Sequence, residues 1–196
     1  MKPLQLSFSK SAALYEQLPP DQGNEVVIIG YSNVGKSSLI NKICNNKQMA
    51  KTSRTPGRTQ LLNVFVHDET SRLIDAPGYG FARVSAATRE NWKNQLANYL
   101  SERQCLKGII IVIDIRRGLR EIDELVIDWS NQNELPILLV LNKADKLPRA
   151  QQAKQMQHIQ KSTESCSNRQ IISSSCLKST GIPLIIDQLQ HWLSQD

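Results

Sequence analysis

Eight consecutive residues, Gly30-Tyr31-Ser32-Asn33-Val34-Gly35-Lys36-Ser37, limit what this chain can fold into more than any other feature. They match the pattern G-x-x-x-x-G-K-[ST], directly after the β-branched run Glu25 to Ile29 and directly before an amphipathic run from Lys36 to Asn45. A strand must turn into a helix here. Gly30 and Gly35 let the main chain wrap closely, so that successive N–H groups face one point while the helix N-terminus adds the positive end of its dipole. That geometry receives a chain of phosphates. Lys36 would bridge the β- and γ-phosphates, and the Ser37 hydroxyl would coordinate Mg2+.

The rest of the chain alternates in the same way. Further strands are expected at Leu61 to His67, Ser71 to Asp75, Gly108 to Asp114, Ile137 to Asn142 and Gln170 to Ser173. Helices are expected at Ala86 to Arg103, Glu121 to Asn133, Arg149 to Glu164 and Ile182 to Leu193. Asp68-Glu69-Thr70 is too short for a helical crossover, so the strands on either side of it should form an antiparallel hairpin. The expected fold is α/β, a mixed but mostly parallel sheet of about six strands flanked by helices on both faces. With 196 residues, 40% of them hydrophobic, and no Gly/Ser/Pro tract, residues 23–196 read as one domain and 1–22 as an N-terminal extension packed on it. The longest apolar runs, Ile109 to Ile113 and Leu135 to Leu141, fall far short of the roughly 20 residues that cross a bilayer. The start shows no signal-type apolar stretch, and a cytoplasmic protein, off the membrane and monomeric, is expected. Cys44, Cys105, Cys166 and Cys176 have no paired spacing and read as buried thiols.

A phosphate loop alone fits an ATPase, a kinase or a GTPase. Asn142-Lys143-Ala144-Asp145 discriminates, because it ends a strand at the sheet edge where ligands meet parallel strands. Guanine offers N1–H and a 2-amino group side by side, and the Asp145 carboxylate can accept from both. Adenine would leave that carboxylate unpaired, which supports discrimination on the order of 10⁴-fold. Asn142 can meet the N7 and O6 edge, and the stem of Lys143 can cover the base. Asp75-Ala76-Pro77-Gly78 is a third element: Asp75 could hold a water on Mg2+, and the Gly78 N–H could bind the γ-phosphate and sense its presence. Thr59 is the candidate second hydroxyl on Mg2+, with Thr55 the runner-up. The backbone of Ser175-Cys176-Leu177 could face guanine O6, although Ser-rich strand ends also serve as plain helix caps.

In this order the elements resemble the translation-factor-like class of P-loop GTPases, and most closely the EngB (YihA/YsxC) family within the TrmE-Era-EngA-EngB-Septin-like group. The resemblance runs from about Gly23 onward and rests also on Thr55-Pro56-Gly57-Arg58-Thr59-Gln60, Asp75-Ala76-Pro77-Gly78-Tyr79-Gly80, the helix from Trp92 to Arg103, and Asp114-Ile115-Arg116. It implies a GTP-hydrolysing switch that binds GTP and GDP and acts in assembly of the large ribosomal subunit and in septation. Along the nucleotide it implies the loop Gly30 to Ser37, Gly57, Arg58, Thr59, Gln60, Leu61, Asp75, Ala76, Pro77, Gly78, Asn142, Lys143, Ala144, Asp145, Ser175, Cys176 and Leu177. Lys36, Thr59 and Gly78 are the expected catalytic residues, and Ser37, Thr59 and Asp75 the expected metal residues. Cys176 stands where the family usually has Ser or Ala, a departure of little weight if the contact is from backbone.

Tyr79 occupies the place where many signalling GTPases carry a water-orienting glutamine, so isolated turnover should be slow unless a partner or a cation completes the site. Asn33 resembles the asparagine that helps hold K⁺ in potassium-activated GTPases, and equally suits a tight loop. Arg54, Arg58 and Arg83 could neutralise phosphate charge or stay solvated. His67, His158 and His191 receive no role, and Trp92, Trp129 and Trp192 read as core or interface packing. A net charge of +6 and pI near 9.2 permit an RNA partner without requiring one. Two other classes share parts of this pattern: a small-molecule kinase or ATPase, which has no use for Asn-Lys-x-Asp, and a GTP-binding scaffold without hydrolysis, which Tyr79 favours.

Overall fold

Strands that are apolar on both faces must be covered on both faces, and the arrangement of elements follows from that need. The computed structural model describes residues 2–50, 61–79 and 86–194, without the side chains of 86–93. In chain order the regular elements are β1 (Ser7–Ala12), β2 (Asn24–Ile29), α1 (Lys36–Ile43), β3 (Leu62–Val66), β4 (Ser71–Asp75), α2 (Ala86–Glu102) and β5 (Leu106–Asp114). There follow α3 (Glu121–Gln132), β6 (Ile137–Asn142), α4 (Arg149–Ser162), β7 (Arg169–Ser173) and α5 (Ile182–Leu193). The sheet order is β1-β3-β4-β2-β5-β6-β7. Strands β4, β2, β5, β6 and β7 run parallel, while β1 and β3 are antiparallel additions, β3 through the expected hairpin. With this strand order the general right-handed crossover rule puts α2, α3 and α4 on one face and α1 on the other, and α5 packs against α1 and β2.

The sheet has seven strands among the described residues, one more than expected. The extra strand is β1, inside the stretch read as an extension. Its residues are exposed on both faces up to Ala12, so it has no apolar alternation to announce it. It caps the β3 edge, and a register shift between Phe8 and Lys10 together with the charge of Lys10 discourages further pairing. Helix ends fall one or two residues short of expectation at Ile43, Glu102, Gln132 and Ser162, which is ordinary fraying. Cys105 and Cys166 are buried as expected, whereas Cys44 and Cys176 are only half-buried.

At the amino end of β2 a buried carboxylate gathers the fold. Glu25 accepts from Arg72 Nε at 2.7 Å, Tyr99 Oη at 2.7 Å, and Arg103 Nε and Nη2 at 2.9 and 2.8 Å. The same arginines donate to the carbonyls of Pro19, Pro20 and Gln22, tying the N-terminal segment to the sheet. Removing one partner of such a buried group leaves charges unpaired. Glu25→Ala is therefore expected to cost about 3–5 kcal/mol, read as a lower urea midpoint, and Glu25→Gln less.

Candidate functional site

Register decides where the site lies. Ile28 pairs with Asp75, Ile29 with Ile111, Asp114 with Asn142 and Leu141 with Ser173, so five parallel strands finish along one edge. Onto that edge the chain delivers the Gly30 loop from β2, Asp75 from β4, Asp114 from β5, Asn142 from β6 and Ser174 to Cys176 after β7. Residues 108 positions apart thereby touch: Asn142 Nδ2 donates to the Val34 carbonyl at 3.0 Å.

Gly35 precedes α1 with φ of +105°, and a Cβ there would sit 2.4 Å from Asn142 Nδ2, so only glycine satisfies both the turn and the contact. Asn33 takes a left-handed φ of 64°. Lys36 Nζ turns back over the loop to the Gly30 carbonyl at 3.3 Å. The Asp75 loop runs beside it, with Tyr79 N–H donating to Gly30 O at 3.3 Å and Ser32 N–H to Tyr79 O at 2.7 Å. A Cβ on Gly78 would lie 3.0 Å from Lys36 Nζ and 3.2 Å from Ser32 N. The expectation that successive loop amides face one point is met only in part. Ser32 N–H is turned to Tyr79, an acceptor that the Asp75 loop supplies, and Val34 N–H turns back within the phosphate loop itself to Tyr31 O at 3.3 Å.

Asp75 is buried, and its Oδ1 has no hydrogen-bond partner among the described residues. Burial pushes its carboxyl up to about 6, with the Lys36 charge and a bond from Asn63 pulling the other way. Burial likewise lowers Lys36 from its usual range, against the pull of Asp75. A buried oxygen without a donor fits a cation shell, and with Ser37 directly after Lys36 at the start of α1 these residues suit Mg2+.

The base-reading residues are held from behind. Ser175 Oγ donates to Asp145 Oδ1 at 2.6 Å, and this bond holds the Asp145 carboxyl below its ordinary range. Ala144 N–H bonds Ser174 O at 2.9 Å, joining the two loops. Lys143, in a left-handed turn, donates to the Asn33 carbonyl at 2.5 Å and to Asp114 Oδ2 at 3.1 Å. Burial would raise Asp114, but donors from Arg116 and Lys143 outweigh it and keep that carboxyl well below the usual range. Ser174 Oγ lies 3.3 Å and Cys176 Sγ 3.7 Å from Asn142 Oδ1. The reading of Ser175 to Leu177 as a backbone feature thus missed the Ser175 hydroxyl, and Cys176 reaches Asn142 through its side chain. Leu177 is solvent-exposed.

Tyr79 is buried, and its phenol donates to Asp123 at the start of α3. Its ring meets Tyr31 edge-on at 4.4 Å, and Arg120 stacks on Tyr31 at 3.8 Å. The phenol is committed to α3, a role that position in sequence did not suggest. Of the other expected site residues, Ala76 and Pro77 continue the Asp75 loop and Leu61 directly precedes β3. Gly57, Arg58, Thr59 and Gln60, with Arg54, Thr55, Gly80 and Arg83, lie outside the described residues, as does the side chain of Trp92. Trp192 is core, packed on Gly108, and Trp129 is half-buried.

A family model described as "50S ribosome-binding GTPase" matches residues 25–143. A probable GTP-binding protein EngB of Shewanella sediminis is 43% identical over 188 residues, 95% of this chain and 86% of that protein. The corresponding protein of Coxiella burnetii is 41% identical over 192 residues, 96% and 93% of the two chains. Among solved structures, a probable GTP-binding protein engB superposes with a TM-score of 0.69 at 19% identity, covering 86% of this chain and 98% of that one. Era of Aquifex aeolicus bound to GDP and AlF4⁻ gives 0.66 at 24% identity, covering 89% and 58%. Fold and site together are those of a P-loop GTPase. Within that class the chain belongs to the EngB family of GTP-binding proteins.

Burial pushes Asp123 up to about 6, although Tyr79 and the Arg120 amide donate to it. The native state therefore holds a proton that the unfolded chain has released, and this contribution to stability is lost as pH rises from about 4 to about 6. Asp123→Asn removes that dependence. Beyond any constant offset, the variant should gain about 2 kcal/mol on the parent across that window, measured by urea unfolding at each pH.

Proposed function

We propose that this chain is a Mg2+-dependent GTP-hydrolysing switch, monomeric and cytoplasmic, that serves assembly of the large ribosomal subunit and through it normal septation. One observation carries the nucleotide part: Asn142 and Lys143 of the guanine-reading motif are hydrogen-bonded to carbonyls of the phosphate loop. Base and phosphate recognition then form one rigid surface, which a kinase or ATPase would have no cause to build. Asp145, oriented by Ser175, would accept from guanine, and Gly30 to Ser37 would hold the phosphates. Mg2+ would be held by Ser37, Thr59 and a water on Asp75, and when bound it would offset charge on the phosphate oxygens. The Gly78 amide, next to Lys36, would read the terminal phosphate, and Lys36 and Thr59 would complete the catalytic set.

Slow turnover follows from Tyr79, whose hydroxyl is engaged by Asp123 and is not offered to a water. The same bond favours a second reading, a GTP-binding scaffold without hydrolysis. For the ribosomal part, support comes from the matched family's description and from the net charge of +6. The left-handed φ of Asn33 is by itself a reason for asparagine there, so a K⁺ site beside the phosphates is a separate claim.

Calorimetry should show GDP bound at least about 10³-fold more tightly than ADP, and Asp145→Asn should shift preference toward xanthosine nucleotides. Equal affinity for GDP and ADP would end the proposal. Phosphate release from GTP should be slow and should vanish in Lys36→Ala; no release in either protein would favour the scaffold. Faster release in KCl than in NaCl, lost in Asn33→Ala, is the result expected of a K⁺ site, and equal rates remove it. Nucleotide-dependent co-sedimentation with large ribosomal subunits tests the partner.

A further inference from the structure

Helices α2 and α3 leave between them an apolar groove of about 230 Å³ on the face opposite α1 and α5. Leu96 and Leu100 form its α2 wall, and Ile122, Val126 and Trp129 its α3 wall, with Leu125 at the lip. Leu125 is 54% exposed, in a helix whose other large aliphatic side chains turn inward. The groove is smaller and more open than the usual pocket for a small molecule, and its shape is that of a slot between two helices.

Charge on the α3 side of the groove runs against the charge of the molecule. Helix α3 carries Glu121, Glu124 and Asp128 at exposed positions and no lysine or arginine, Asp123 being buried against Tyr79; in sequence α2 has Arg89 and Lys93 ahead of the groove wall and Glu102 after it. Glu124 and Asp128 are exposed one turn apart beside Leu125, well within a Debye length of about 8 Å of each other. Helix α4 has the opposite character: Arg149, Lys154 and Lys161 are exposed and no acidic residue stands between them. In a chain of net charge +6, a polyanion is drawn to surfaces like α4 and repelled from this one. An apolar slot whose α3 rim is acidic is complementary to a helix with aliphatic residues on one stripe and basic residues along the side that meets α3.

We propose that the α2–α3 groove docks a lysine- and arginine-rich amphipathic helix of a partner protein, with Leu125 as the central apolar contact and Glu124 and Asp128 pairing with the flanking cations. The proposal goes beyond the nucleotide reading and does not depend on it.

The probe is a fluorescein-labelled synthetic peptide of about five helical turns, with leucine at positions i, i+3, i+4 and i+7 and lysine on the flanks, titrated into the full chain. Saturable binding is expected, weakened about tenfold or more by Leu125→Arg and by the double exchange Glu124→Lys, Asp128→Lys. Leu184→Arg, at a leucine 57% exposed on α5, should leave it unchanged. A peptide with glutamate in place of lysine should bind the charge-reversed variant better than the parent. An unaltered urea unfolding midpoint of the Leu125→Arg variant distinguishes loss of docking from loss of fold. Equal peptide binding by parent and Leu125→Arg, or no binding at all, overturns the proposal. So does an RNA oligonucleotide whose binding, rather than the peptide's, is lost in Leu125→Arg, or a self-associated parent chain that Leu125→Arg makes monomeric in sedimentation velocity.

Discussion

The site turns on the side-chain amide of Asn142. It donates to the phosphate loop at Val34, lies within reach of the Ser174 hydroxyl and the Cys176 thiol, and ends the strand that carries the base-reading residues. A buried amide left without partners costs about 1–3 kcal/mol, so each of these loops is held in place partly by the need to satisfy it. The neighbouring Lys143 acts alike, its ammonium shared between the Asn33 carbonyl and Asp114. Three loops far apart in sequence are thus fixed relative to one another by two adjacent side chains. The close approach of Asn142 to Gly35 explains why the loop can carry no side chain at that position.

Strand β2 has two ends with different tasks. At its amino end Glu25 is surrounded by donors, and every charge in the cluster has a partner. Beyond its carboxyl end, Asp75 keeps an oxygen without a donor among the described residues, and Lys36 sits partly desolvated beside it. The first arrangement holds the N-terminal segment to the sheet. The second leaves unused bonding capacity where a ligand would supply it, which is how a fold concentrates unmet electrostatic demand at its functional edge.

What could be read from sequence was local. The loop Gly30 to Ser37, Asn142 to Asp145, the Asp68 hairpin and the apolar stripe of α5 each announce themselves within about a dozen residues. Long-range dependence hid the rest. Strand β1 exists because β3 offers it an edge, and its own exposed, mostly polar residues carry no period. The Ser175 hydroxyl is informative only once Asp145, 30 positions away, is placed against it. Tyr79 looked like a replacement for a catalytic side chain, while its structural meaning depends on Asp123 in another helix. Thr59 and its neighbours fall outside the described residues and stay as the sequence left them.

The pairing of β1 with β3 also bears on how the chain is made. The first strand to be synthesised cannot pair with its sequence neighbour β2, which lies between β4 and β5, and must wait until Leu62–Val66 has emerged. Glu25 waits longer, since Arg103 is supplied only after the whole of α2. A nascent chain therefore carries an apolar strand with an unmatched glutamate and a loose leading segment through about half of its translation. The completed sheet edge is a late, non-local event, of the kind that slows folding and leaves hydrophobic strands open to wrong partners in the meantime.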